Sequence, residues 1–274
     1  IDAHHHFWNY TPDEFGWIGD SMAGLRRDFG PPDLEPCLRA QGFDGAVSVQ
    51  ARQTLEESQF LLDLAGRHPF IRGVVGWVPL ISESVGDDLA TLARNPKLRA
   101  VRHVLQDEPG EAYMLRRDFN RGIAMLSAHG LAYDILIFER HLPQTAEFVD
   151  RHPDQVFILD HIAKPRIKEN LLEPWATGIR NLAQRENVFC KISGMVTEAD
   201  HRHWTGAQLR PYFDTVLDAF GPDRLMFGSD WPVCLAAASY RDWHSTVEQF
   251  AAGLSSDEKG ALFGGTAQRA YKLA

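Results

Sequence analysis

The stretch HHHFWNYTPDEF (residues 4–15) decides between two architectures. It lies where the first strand of an alternating β/α chain turns toward its first helix. An open dinucleotide-binding sheet wants a glycine-rich GxGxxG turn at that point, so that backbone can approach a phosphate. This turn contains no glycine. GFDG (42–45) and FGPDR (220–224) carry glycines, but they precede strands rather than follow them. The three histidines do not read as a purification tag, which is a longer uninterrupted run on a Gly/Ser linker. An apolar-acidic lead (Ile1, Asp2, Ala3) precedes them and an aromatic pair (Phe7, Trp8) follows, as at the end of a buried strand.

Outward from that stretch, short apolar runs recur along the chain. They are IDAHHHF (1–7), GAVSVQ (45–50), RGVVGWV (72–78), RAVRHVL (99–105), LAYDILI (131–137), QVFILDHI (155–162), NVFCKI (187–192) and RLMFGSD (224–230). Most are dense in Val, Ile, Leu and Phe rather than alternating with polar residues, the pattern of parallel strands buried on both faces. Helical segments separate them. In EESQFLLDLAGRHP (56–69), Phe60, Leu61, Leu64 and Ala65 share one face before Gly66 and Pro69 end the helix. Eight strands with helices between them, in 274 residues, favour a closed (β/α)8 TIM barrel over an open sheet. No linker or composition shift divides the chain, so residues 1–274 are read as one α/β domain.

Charge and cysteine content exclude several classes of function. The net charge is -9 and no Lys/Arg block appears, which argues against nucleic acid or an anionic membrane as partner. No apolar run approaches the roughly 18 residues of a membrane span. Cys37, Cys190 and Cys234 make an odd, scattered set without zinc-thiolate spacing, and a reducing cytoplasm suits them.

In a (β/α)8 barrel the chemistry gathers at the C-terminal ends of the strands. Side chains alternate along a strand, so His4 and His6 point together into the mouth and His5 points away. His5 is therefore expected to contribute little. Later strand ends supply Arg52, Trp77, Arg102, His103, His161 with Lys164 just beyond, and Asp230 with Trp231. Closure sets the last strand beside the first, which brings Asp230 to His6, with His161 across the mouth. Paired histidines, a third histidine and a carboxylate suit one divalent ion such as zinc. The same group can work without metal, Asp230 as base toward water and the histidines as oxyanion donors. His68, His129 and His152, before Pro or Gly at helix ends, read as structural; His201, His203 and His244, in polar stretches, read as solvated.

Four segments in order, IDAHHHFW, RAVRHVLQDEP, FILDHIAKP and RLMFGSDWPV, resemble the amidohydrolase superfamily, in its branch of sugar-lactone hydrolases such as L-fuconolactonases and L-rhamnonolactonases. The resemblance covers nearly the whole chain. It implies a (β/α)8 barrel, hydrolysis of a sugar lactone, and His4, His6, His161 and Asp230 as the positions that coordinate metal or handle water. Binuclear relatives supply a bridging Lys or Glu from the fourth strand and a His from the fifth. Here those strands end in Arg102-His103 and Tyr133-Asp134, so one zinc, or no essential metal, is what the residues permit. A lactone leaves as an alkoxide and needs less activation than an amide. Catalytic roles fall to Asp230 and His161; Trp8, Trp77 and Trp231 suit a sugar face, and Arg52, Arg102, His103 and Lys164 suit its hydroxyls or nascent carboxylate. Three alternatives stay open: a metal-dependent decarboxylase on the same barrel, a hydrolase of a dicarboxylate lactone, and a non-catalytic sugar binder.

Overall fold

The computed structural model describes residues 1–274. Its eight strands are parallel and ordered in sequence: β1 (Asp2–His5), β2 (Ala46–Val49), β3 (Ile71–Gly76), β4 (Leu98–Val104), β5 (Ala132–Leu136), β6 (Phe157–Leu159), β7 (Val188–Ile192) and β8 (Leu225–Phe227). Each lies within or overlaps an apolar run identified above. Closure is made just past β8, where Asp230 N–H donates to His4 O at 2.8 Å and His6 N–H to Trp231 O at 2.7 Å. The buried Asp2 carboxylate reinforces it, accepting from the Ser229 amide at 2.8 Å and from Tyr240 Oη at 3.1 Å. The result is a (β/α)8 barrel.

Ten helices follow: α1 (Pro31–Ala40), α2 (Leu55–Arg67), α3 (Val85–Leu92), α4 (Arg117–Leu126), α5 (Leu142–Asp150), α6 (Trp175–Leu182), α7 (Gly206–Phe220), α8 (Tyr240–Phe250), α9 (Ser256–Gly260) and α10 (Thr266–Ala270). Their starts follow from short polar side chains that occupy free N–H groups: Thr54 accepts from Glu57, Thr205 from Gln208, Ser239 from Asp242. Ser255 and Glu258 form a reciprocal capping box.

Two hydrophobic layers result. A cluster of 65 residues fills the space between sheet and helices, and one of 12 fills the barrel interior, where Ala3, Val75, Ala100 and Met226 meet Ala267 and Tyr271 of the C-terminal segment. The β1–β2 register slips between Asp2 and His5. That irregularity lets Ala3 join the interior cluster while His4, the next residue, reaches Lys191 of β7. Strict alternation holds from His4 to His6 and fails just before them.

One expectation about histidines gains a detail and another needs correction. His5 does face away from the mouth, but it is fully buried: its Nε2 lies 2.7 Å from Ser48 Oγ and its ring packs on Phe7. Facing away from a barrel mouth means facing the helices, not water. His244 is not solvated either; it packs among Phe43, Phe227 and Phe263. His152 is structural as expected, paired with Asn120.

Candidate active site

Four side chains converge at the C-terminal end of the barrel. His4 and His6 bring their Nε2 atoms within 3.2 Å of each other. Asp230 Oδ1 lies 3.7 Å from His4 Nε2, 3.5 Å from His6 Nε2 and 4.0 Å from His161 Nε2. All four residues are buried.

The backbone that presents them is unusual. His161, Ile162, Ala163 and Lys164 carry φ of 52°, 48°, 62° and 48°, four successive non-glycine residues in the left-handed region, and Asp230 follows with 56°. Each such residue costs roughly 1–2 kcal/mol against its right-handed alternative. One tertiary bond holds the turn from outside, Trp175 Nε1 of α6 donating to Ile162 O at 2.6 Å, while Lys164 N–H closes it locally on His161 O at 2.8 Å. Gly194, after β7, leaves the room His161 needs, since a Cβ there would stand 2.8 Å from its ring. Backbone strain of this kind clusters at functional sites in proteins, which makes the segment a candidate.

Beneath the histidines lies a fully buried ionic cluster. The Lys191 ammonium is 2.6 Å from Asp134 Oδ2, 2.9 Å from Asp160 Oδ1 and 3.0 Å from His4 Nδ1. It donates to Asp134 and His4, and pairs with Asp160 by charge alone. Tyr271 Oη adds a bond to Asp134 at 2.7 Å, and Arg102 reaches Asp160 Oδ2 at 2.9 Å. If Lys191 donates to His4 Nδ1, the His4 proton sits on Nε2 and points to His6 Nε2, while His6 Nδ1–H donates to Val49 O at 2.8 Å. Each ring then has one donor and one acceptor, as neutral imidazoles require.

Burial dominates the electrostatics. It pushes His161 down to about 4 and His4 well below its ordinary value, so both rings are neutral at pH 7. Burial pushes Asp230 upward, but His161, the bond to His6 and Lys164 together hold it below the usual carboxylate value. Asp134 is pushed up to about 6 by burial, with Lys191 opposing.

The donor set fits one divalent ion. Tetrahedral zinc with bonds of about 2.0–2.1 Å holds its ligands roughly 3.3 Å apart, close to the separations among His4 Nε2, His6 Nε2 and Asp230 Oδ1. The Val49 carbonyl orients His6 as an outer partner does in metal sites. Occupying His4 requires displacement of its Nε2 proton, because Lys191 faces Nδ1.

A cavity of about 550 Å³ opens above, lined by His6, His161, Asp230, Arg52, Arg102 and Lys164 among others. Other residues named from sequence lie elsewhere. Trp8 is buried among Phe15, Phe29 and Trp17, and Trp231 against Phe7 and Phe29. Trp77 Nε1 donates to His103 Nδ1 at 3.3 Å, and His103 is held by Glu108 at 2.6 Å and stacked on Tyr113. None of these four lines the cavity. Of the two arginines that do, Arg52 is tied to Glu14 and Glu57, and Arg102 spends its donors on Gln50 and Asp160. Sequence reasoning missed Trp17, an exposed tryptophan on the cavity wall, as well as Asp160 and the use of Lys191. A charge inside an apolar strand, as Lys191 is in VFCKI, was the available signal for the last.

The family model described as Amidohydrolase matches residues 1–273. The L-fucono-1,5-lactonase of Burkholderia multivorans is 45% identical over 284 aligned residues, covering 100% of this chain and 96% of the relative. That of Burkholderia ambifaria is 39% identical over 277 residues, covering 100% and 95%. Among solved structures, an amidohydrolase from Burkholderia multivorans with bound zinc superposes with a TM-score of 0.97 at 44% identity, covering 100% of this chain and 99% of that one.

Proposed function

The chain belongs to the amidohydrolase family, and on that premise we propose that it is a lactone hydrolase opening L-fucono-1,5-lactone or a closely related L-sugar lactone to the free acid. The observation that carries this reading is a carboxylate, Asp230, set within 4.0 Å of three histidine nitrogens on the wall of a polar cavity. Two full-length relatives bearing that activity supply the substrate class.

Asp230, ionised at neutral pH, takes a proton from water as the oxygen attacks the lactone carbonyl carbon. The carbonyl becomes an oxyanion. His161 is neutral, its Nδ1 held 2.8 Å from Ser193 Oγ, so its Nε2 side faces the reacting centre. One good oxyanion donor is worth on the order of 10²–10³ in rate. The ring C–O bond then breaks, and the ring oxygen recovers the proton from Asp230. Lys164 attracts the nascent carboxylate, and Trp17 offers an apolar face to the sugar. A zinc ion, held by His4, His6 and Asp230 with His161 beside them, would act as a Lewis acid on the carbonyl oxygen. The three free cysteines fit a reducing compartment such as the cytoplasm.

The dicarboxylate-lactone reading calls for free guanidinium groups, and both cavity arginines are already engaged. The test is acid release from a panel of aldonolactones, followed with a pH indicator and corrected for spontaneous opening, with and without chelator. Turnover of none of the panel would overturn the proposal. A decarboxylase would instead release carbon dioxide from an unsaturated carboxylate and lose that activity on chelation.

A further inference from the structure

A second and larger cavity, of about 1020 Å³, adjoins the first, and Lys164 lines both. The loops after β5, β6 and β7 frame it, through Phe138 and Glu139, Lys164 and Lys168, and Glu198. Both volumes fall near the range of ligand sites, about 300–1,000 Å³.

The lining speaks for a particular chemistry. Only 2 of its 15 residues are hydrophobic, which disfavours an apolar ligand. Glu139 binds Arg166 through Oε1 at 2.6 Å, but its Oε2 is buried without a partner. Such an atom leaves an acceptor position that no group of the protein fills. Glu198 adds a second carboxyl group to the same wall. Lys164 and Lys168 present donors to the same space, and the Lys164 ammonium stands 5.6 Å from the centre of the Phe138 ring. A carboxylate oxygen that lacks a donor, a second carboxyl group and two ammonium groups together suit a polyhydroxylated ring, whose hydroxyls donate and accept at once.

We propose that this cavity is a second carbohydrate subsite, which holds a glycosyl unit joined to the lactone ring, so that the enzyme also opens the lactones of oxidised disaccharides. The inference rests on the lactonase reading. A ligand spanning the two cavities passes Lys164, the residue common to both.

The test compares kcat/KM for a monosaccharide aldonolactone and an aldobionolactone, in the parent enzyme and in Glu139→Gln, Glu198→Gln and Lys168→Met. The parent should turn over the disaccharide lactone at least as well as the monosaccharide one. Each variant should lose about tenfold or more on the disaccharide lactone, as for a lost hydrogen bond to a charged group, and stay within about twofold on the monosaccharide lactone. Lys168 is exposed and its replacement does not threaten folding. A parent value more than tenfold lower on the disaccharide lactone, or equal losses on both substrates, overturns the subsite. If no lactone is opened, the lactonase reading fails, and the cavity is then judged by saturation-transfer NMR with a free disaccharide. Saturation transfer seen with the parent and abolished in the three variants upholds sugar binding there; no transfer with the parent, or transfer unchanged in the variants, refutes it.

Discussion

Replacing Lys191 with methionine keeps the side chain's apolar stem and removes its charged end. The ammonium is fully buried, 2.6, 2.9 and 3.0 Å from Asp134, Asp160 and His4, beyond the reach of bulk solvent. Removing one partner of a buried ionic group costs about 3–5 kcal/mol, chiefly because the carboxylates left behind are uncompensated. Unfolding entropy of roughly 2.1 cal/mol/K per residue, over 274 residues, converts 4 kcal/mol into a fall in Tm of about 7 °C. The two carboxylates are not equivalent. Asp160 keeps Arg102 at 2.9 Å, whereas Asp134 keeps only the Tyr271 hydroxyl. The double variant Lys191→Met with Asp134→Asn should therefore recover roughly half of the loss. Urea unfolding of parent, both single variants and the double variant, followed by far-UV circular dichroism, gives the cycle. A Lys191→Met cost below about 1 kcal/mol, or a double variant less stable than Lys191→Met alone, refutes the account of the cluster.

Asp230→Asn should lower kcat by about 10²-fold or more while leaving the thermal transition in place, as loss of a general base does; a variant within tenfold of the parent sinks the assignment. His5→Ala should cost about 1–3 kcal/mol in stability, from its bond to Ser48 and its packing on Phe7. Its kcat/KM should stay within about twofold, and a selective kinetic defect would contradict the placement. For His161, burial lowers the folded value to about 4. The unfolded chain takes that proton near 6.5 and the folded chain refuses it, so the contribution is full above pH 6.5 and is lost as pH falls toward 4. Urea titrations of the metal-stripped parent and His161→Gln should show the parent losing about 2 kcal/mol relative to the variant between pH 7.5 and 5. A constant difference across that range shows that His161 is not held neutral.

The eight strands were legible because parallel strands covered on both faces must be apolar throughout, and runs such as QVFILDHI stand out between helices. His4, His6, His161 and Asp230 were legible because barrel topology sends strand ends to one mouth. The aromatic assignments fared differently. Trp8, Trp77 and Trp231 sit close in sequence to strand ends, but an aromatic ring is at home both in a sugar site and in the layer behind it. Only packing separates the two, as it put Trp231 against Phe7 and left Trp17 half exposed on the cavity wall. The left-handed turn was not legible at all. Nothing in the string His-Ile-Ala-Lys favours positive φ, and it carries neither Gly nor Asn, so the conformation comes from its surroundings.

That turn bears on how the candidate site can be reused. Its four strained residues are fixed by a tryptophan on α6, a glycine after β7 and the walls of the finished barrel. The peptide DHIAK carries none of these supports with it. Grafted into another barrel at the end of a sixth strand, it would relax to right-handed backbone and aim His161 and Lys164 elsewhere. A designer who wants this histidine must transplant the neighbours that force it into place.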